Sequence, residues 1–274
     1  MSALVRTTNQ LFFQLPVEGS PARSIDVPHH QIDPALTIAH RDAARLETHY
    51  RQAAQRLLEA NGGGFSHLFI TSAHRGDGKT CTALNLSSSL ARAGKRVLLA
   101  ELNFSHPRLL AALGNLRVKY GLENALRGWV EPADAIFCLA SAGLDIAPVR
   151  NATPADGLQP VLEHLHAFLD WASEYYEMVI LDCPAVLSAE WDAWFHRFIG
   201  PALLVVREEH TPQVEVRKAM QRLGDHLKGA LLNDTRQAPI HEAAPLVKAG
   251  FAAQAKSKSS EGPVSIRSAL RTGS

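Results

Sequence analysis

Three stretches of this 274-residue chain have residue types suited to phosphate chemistry. The first is Ala73-His74-Arg75-Gly76-Asp77-Gly78-Lys79-Thr80, which fits the spacing Gly-x4-Gly-Lys-Thr except that Ala73 stands in the first glycine's place. A loop of this kind turns successive backbone N–H groups toward an anion, and it needs glycine where the backbone bends with positive φ or approaches the anion closely. Gly76 and Gly78 supply those places, with Asp77 between them and Cys81 just beyond the motif. Lys79 would reach the β- and γ-phosphates of a nucleotide and Thr80 would offer its hydroxyl to Mg2+, while the helix that follows adds the positive end of its dipole. The second stretch ends at Asp182, after the apolar run Met178-Val179-Ile180-Leu181. A carboxylate there can hold Mg2+ through water beside such a loop; an ordinary turn or capping Asp is the other reading. The third ends at Asn233, a strand-end amide of the type that makes a turn.

These residues need a scaffold that sets the ends of several strands side by side. Apolar runs at 67–71, 96–100, 178–181, 202–206 and 229–232 read as buried strands. Helical periodicity over 38–60, 79–93, 160–176 and 214–227 alternates with them, and 107–113 holds a helical turn or two. Strands that are apolar throughout, alternating with amphipathic helices, predict a doubly wound α/β fold with a mostly parallel sheet and helices on both faces. Ligands of such sheets bind at the carboxyl ends of the strands, where the phosphate loop and Asp182 both fall. Residues 1–36 carry Pro16, Pro21, Pro28 and Pro34 without periodicity and are expected to form a flexible lead-in. A nucleotide-binding domain is expected over 37–247, and a disordered, mildly basic tail over 248–274.

Composition narrows the function classes. Twenty-eight Lys+Arg against 27 Asp+Glu leave a net charge of +1, which excludes a protein that seeks nucleic acid through a basic field. Cys81, Cys138 and Cys183 are too few and too scattered for a disulfide framework or a zinc site, and they fit the cytoplasm. No apolar run approaches the roughly 18–20 residues that cross a bilayer, so contact with the inner membrane is expected only through a partner. His164 and His166 stand two apart on a helical stretch, point to different faces and make a poor metal pair.

Taken together, the stretches from Thr71 to Thr80, from Val97 to Pro107 and from Val179 to Pro184 resemble the cytoplasmic domain of the bacterial tyrosine kinases of capsule and exopolysaccharide export. That family lies within the deviant-Walker P-loop NTPases that include the MinD and ParA types. The resemblance runs from about Tyr50 to Asp234 and takes in Gly121-Leu122-Glu123-Asn124-Ala125-Leu126, Leu204-Val205-Val206-Arg207 and Leu231-Leu232-Asn233. It implies ATP and Mg2+ as cofactors, with Gly76, Asp77, Gly78, Lys79, Thr80 and Cys81 along the nucleotide and Asn233 at the adenine or else only making a turn; Lys79, Glu101 and Asp182 as the catalytic set; and Thr80 and Asp182 as the metal pair. It implies a membrane polysaccharide co-polymerase or chain-length protein as partner, and leaves a homo-oligomer open.

The departures bear on activity. Where the family has two Asp and an Arg in its second motif, this chain has Glu101, Asn103 and Ser105. Glu101 keeps a carboxylate whose oxygens sit about 1.5 Å further out, whereas the amide of Asn103 cannot serve as a general base. The family's C-terminal tyrosine cluster has no counterpart, since all four tyrosines are Tyr50, Tyr120, Tyr175 and Tyr176. The ring-forming Glu and two Arg of the family's leading helix are matched only at Arg51, with Ala54 in the second arginine's place and Glu47 displaced by one. Asp192, near where the family often has an Asp, is likewise out of step by one residue. Two functions of different class follow: an ATP-using kinase module, or a regulator of polysaccharide synthesis or secretion that binds nucleotide without turnover. A positioning ATPase of the MinD or ParA type ranks third, because a second, signature lysine is expected early in the loop and the only basic residue in that stretch is Arg75, with His74 before it.

Overall fold

Strand β2 (His67–Ser72) carries Leu68 and Ile70 on one face and Phe69 on the other, all fully buried, because successive side chains of a strand point to opposite sides. The same alternation holds in β3 (Val97–Glu101), β6 (Met178–Asp182) and β7 (Ala202–Arg207), so the sheet must be covered twice. On the first face lie α1 (Ala44–Asn61) and α2 (Lys79–Arg92), packed against Leu68, Ile70, Leu99 and Ile180. Helix α1 buries Tyr50, Ala54 and Leu57 at helical spacing, and Glu47 pairs with Arg92 of α2 at 2.7 Å. On the second face, α6 (Leu165–Tyr175) and α8 (Gln213–Leu223) pack Leu165, Phe168, Val216 and Ala219 against Phe69, Leu98 and Leu181.

The computed structural model describes residues 22–25, 27, 44–61, 66–153, 157–193 and 199–233. The expected tail over 248–274 and most of the lead-in lie outside them. Four shorter α-helices, α3 (Leu109–Ala112), α4 (Leu122–Leu126), α5 (Gln159–Leu162) and α7 (Ala189–Ala193), and 3-10 turns at Pro132–Ala135 and Gly224–His226 complete the described helices. The sheet has eight strands in the order β1-β4-β5-β3-β6-β2-β7-β8, where β1 is Arg23–Ile25, β4 Phe137–Leu139, β5 Leu144–Ala147 and β8 Leu227–Asn233. Every pairing is parallel except β4 with β5. Strand β2 sits between β6 and β7, so the chain leaves it toward β3 on one side and reaches β7 on the other; the loop after β2 lies at the crevice where strand order reverses.

Several boundaries differ from the sequence reading. Strand β1 pairs with β4 and Val27 is buried beside it, so the sheet begins inside the stretch expected to be only a lead-in. The helix expected over 160–176 is two, parted at Glu163 and His164. The helix expected to 227 ends at Leu223, because Gly224 adopts a positive φ and turns the chain into β8 two residues early. The β4–β5 hairpin and the short α4 went unread.

Candidate functional site

The phosphate loop leaves β2 at Ser72 and enters α2 at Lys79. Gly76 and Gly78 both have φ of +91°, the left-handed region that glycine adopts without strain. Gly78 is needed twice over, since a Cβ there would overlap the side-chain amide of Asn233. As the N-cap of α2, Gly78 offers no side-chain acceptor, so no cap competes with an anion for the first N–H groups of the helix. Lys79 is buried at this opening, and Cys81 sits half-buried in the first turn, packed toward the α1 face.

The loop is braced from several sides. Asp77 accepts from the backbone N–H of His74 at 2.9 Å through one oxygen and from the Thr211 hydroxyl at 3.1 Å through the other. The Asn233 amide donates to the carbonyl of Asp77 at 3.0 Å, and Ser72 donates to the carbonyl of His74 at 2.6 Å. The His74 ring pairs with Glu215 of α8. The Asp77 side chain, expected among the nucleotide contacts, is therefore part of the frame that shapes the loop. Asn233 ends β8 against the loop, with its Nδ2 taken up by the Asp77 carbonyl.

Thr80 donates its hydroxyl to Asp182 Oδ2 at 2.7 Å, a bond that does not use the Thr80 oxygen's own lone pairs. Asp182 is fully buried, and its Oδ1 has no hydrogen-bond partner. Burial pushes the Asp182 carboxyl up to about 6, while the Lys79 ammonium and the Thr80 hydroxyl hold it down. An orphaned, buried carboxylate oxygen beside a threonine hydroxyl is the donor set of a hydrated Mg2+, so the residues present fit that ion. Among the described residues, no group of three or more His, Cys, Asp or Glu forms a separate metal cage.

Glu101 stands next to Asp182 in register across β3 and β6. Its carboxyl is also fully buried, but both oxygens are engaged: Oε1 accepts from the N–H groups of Arg108 and Leu109, and Oε2 from that of Val149 at 3.0 Å. Burial pushes Glu101 up to about 8, the Asp182 charge pushes the same way, and the three amides pull it back. The extra methylene thus lets Glu101 pin the loop after β3 to the start of α3 and the end of β5. This differs from the catalytic part expected of it. Asn103 donates to the carbonyl of His106 at 2.7 Å within the turn after β3, and Ser105 ties that turn to the carbonyl of Thr153 at 3.2 Å.

Glu190, in the first turn of α7, was missed. It is buried and faces Ser105, whose N–H lies 3.5 Å from Oε1. Burial raises its carboxyl, the Ser105 contacts lower it, and the Lys79 and Arg75 cations lower it further. Asp192, weighed instead, pairs with Arg222 at 2.5 Å on the surface. The available signal was an acid at the opening of a helix closely following Asp182, with Ser188 before it to cap the Trp191 N–H. Glu123 was also unassigned; it accepts from the backbone of Arg150 and Asn151, each at 3.0 Å. Cys183 is buried and packed, and burial pushes its thiol well up.

No family-level sequence profile matches the chain. Over 174 residues, 61% of this chain, it is 32% identical to a Klebsiella pneumoniae cps-region protein that bears the name of a tyrosine-protein kinase, and it spans 23% of that relative's length. The kinase domain of the Escherichia coli tyrosine kinase ETK superposes with a TM-score of 0.67 at 25% identity, covering 78% of this chain and 86% of that domain. The Mg-ADP complex of the septum site-determining protein MinD from Pyrococcus horikoshii shares the fold, with a TM-score of 0.51 at 24% identity over 62% of this chain and 71% of that one. The chain is thus homologous to bacterial tyrosine kinases of capsule regions and has the P-loop ATPase fold.

Proposed function

We propose that this homologue of the bacterial tyrosine kinases binds Mg·ATP and serves as the cytoplasmic kinase-like module of a capsule or exopolysaccharide system, working beside a membrane co-polymerase or chain-length protein. The observation that carries the reading is the Thr80–Asp182 pair with one orphaned buried oxygen, set against a loop whose two glycines take the left-handed backbone. The backbone of Gly76 to Thr80 holds the phosphates, Lys79 reaches the β- and γ-oxygens, and Thr80 and Asp182 hold Mg2+. The ion, when bound, neutralises charge that builds on the phosphates. Among the described residues no helix is long and apolar enough to cross a membrane.

A second reading, a nucleotide-binding regulator without turnover, is favoured by one observation: the second motif offers no free carboxylate, with Glu101 engaged by three amides and Asn103 neutral. Titration with a fluorescent ATP analogue, followed by phosphate release and tyrosine phosphorylation, separates the two. ATP binding that Lys79→Ala abolishes, together with turnover, supports the kinase-like module. Tight binding without either product selects the regulator, and an absence of binding removes both.

A further inference from the structure

Two buried glutamates tie together the loops that leave the carboxyl ends of β3 and β5. Glu101 accepts from the N–H groups of Arg108 and Val149, and Glu123 from those of Arg150 and Asn151, so the two loops and α4 form one surface. That surface has one sign of charge. From Leu102 to Gly121 the chain has Arg108, Arg117 and Lys119 but no Asp or Glu, and from Pro148 to Thr153 it has Arg150 and again no acid. All four cations are exposed, and among the described residues none of them pairs with an acid, in a chain whose net charge is only +1. Aromatic rings adjoin them. Lys119 lies over the Tyr120 ring at 4.8 Å and Arg127 over that of Trp129 at 5.2 Å, at opposite ends of α4. Asn124 joins the two pairs, since its side chain accepts from the Gly121 N–H at 2.9 Å and its carbonyl from the Trp129 N–H at 3.0 Å. Trp129 is 67% exposed, and Glu131 and Asp134 close the patch beyond it.

We propose that this face docks on an anionic lipid bilayer, with Trp129 seated at headgroup depth and Arg108, Arg117, Lys119, Arg127 and Arg150 against the lipid phosphates. An indole suits that layer, where its ring leaves water and its N–H keeps a partner, and each cation near an anionic leaflet adds attraction. The cations come from three separate parts of the chain and surround a projecting ring. Mobile headgroups can meet each of them without a matching shape, which a folded acidic partner would have to supply. The contact is independent of the ATP-binding reading, and it gives the chain a membrane attachment of its own, at the end of the sheet that holds the phosphate loop.

The test is flotation of the full chain with vesicles of phosphatidylcholine, alone or with about 30 mol% phosphatidylglycerol, and a thermal melt of each variant as the check on folding. Wild type is expected to partition onto the anionic vesicles at least about 10-fold more strongly than onto the neutral ones, and to lose that preference at about 0.5 M salt. Arg117→Ala combined with Lys119→Ala is expected to weaken partitioning by about 20-fold, and Trp129→Ala by about 5-fold. Should one of these melt early, the other decides. Arg217→Ala combined with Lys218→Ala removes as much exposed charge from α8 and should change partitioning by less than about 3-fold. Wild type that ignores anionic vesicles, patch variants that bind as wild type does, or equal losses in the patch and α8 variants overturn the proposal. So does wild type that ignores the vesicles yet binds soluble poly-glutamate through the same residues, which assigns the patch to an acidic protein. Binding of the fluorescent ATP analogue, measured without vesicles, tests the ATP-binding reading separately.

Discussion

Glu101 and Asp182 are neighbours in register, equally buried, at the same end of the sheet, yet their surroundings are opposite. Three backbone amides engage both oxygens of Glu101, whereas Asp182 has a hydroxyl on one oxygen and nothing on the other. The first arrangement is complete without a ligand and stabilises the fold. The second leaves a buried acceptor unsatisfied, which costs stability in the free protein and is relieved only by something bound. Of two adjacent acids, the fold satisfies one and leaves the other with an open oxygen.

Substitutions can break this contrast. Glu101→Ala strands three N–H groups at the ends of β5 and α3 and is expected to lower stability by about 3–4 kcal/mol in chemical denaturation, with ATP affinity little changed in the folded fraction. Asp182→Asn is expected to do the reverse: roughly 100-fold weaker Mg2+-dependent ATP binding by fluorescence titration, with the melting temperature unchanged or higher. If the two effects were exchanged, the contrast would be wrong. Gly78→Ala is expected to cost about 1–3 kcal/mol through positive φ and the displaced Asn233 amide, with weakened ATP binding; Gly76→Ala meets no neighbour and should cost less.

The contrast also has a pH signature. Glu101 and Asp182 titrate near about 8 and about 6 in the fold, above their values in the unfolded chain. The native state therefore keeps protons that the unfolded chain releases. Stability from these groups is full below about pH 4 and is lost as pH rises through about 6 and then about 8, by up to ~1.4 kcal/mol per unit for each group. Mg·ATP, which favours ionised Asp182, should raise the melting temperature more at pH 8 than at pH 5.5, and Glu101→Gln should flatten the upper part of the profile. The smallest effect is expected from Asn103→Asp, which exchanges a bond to the His106 carbonyl for repulsion and should cost about 1 kcal/mol in a thermal melt.

The long strands were legible because their apolar runs, such as 178–181 and 202–206, need no partner to be read, and the phosphate loop because its spacing is local. Strand β1, with three residues, exists only because β4 pairs with it from more than a hundred positions away. The β4–β5 hairpin is equally short, and its inward Asp145, bonded to Tyr176 at 2.8 Å, disguised it. Lys79, Thr80 and Asp182 were legible as a set. Glu101 was legible as a carboxylate but not as a loop anchor, because its three donors come from Arg108, Leu109 and Val149, none of which declares itself by type. Glu190 was hidden by Asp192, whose partner Arg222 lies on another helix.

The bracing of the phosphate loop has a kinetic consequence. Asp77, Thr211, His74, Glu215 and Asn233 already fix the loop in the free protein, so ordering it is part of folding rather than of capture. Nucleotide association should then be a single exponential phase, linear in concentration and without a slow isomerisation. Loosening the brace at Thr211 or Glu215 should appear mainly as faster dissociation.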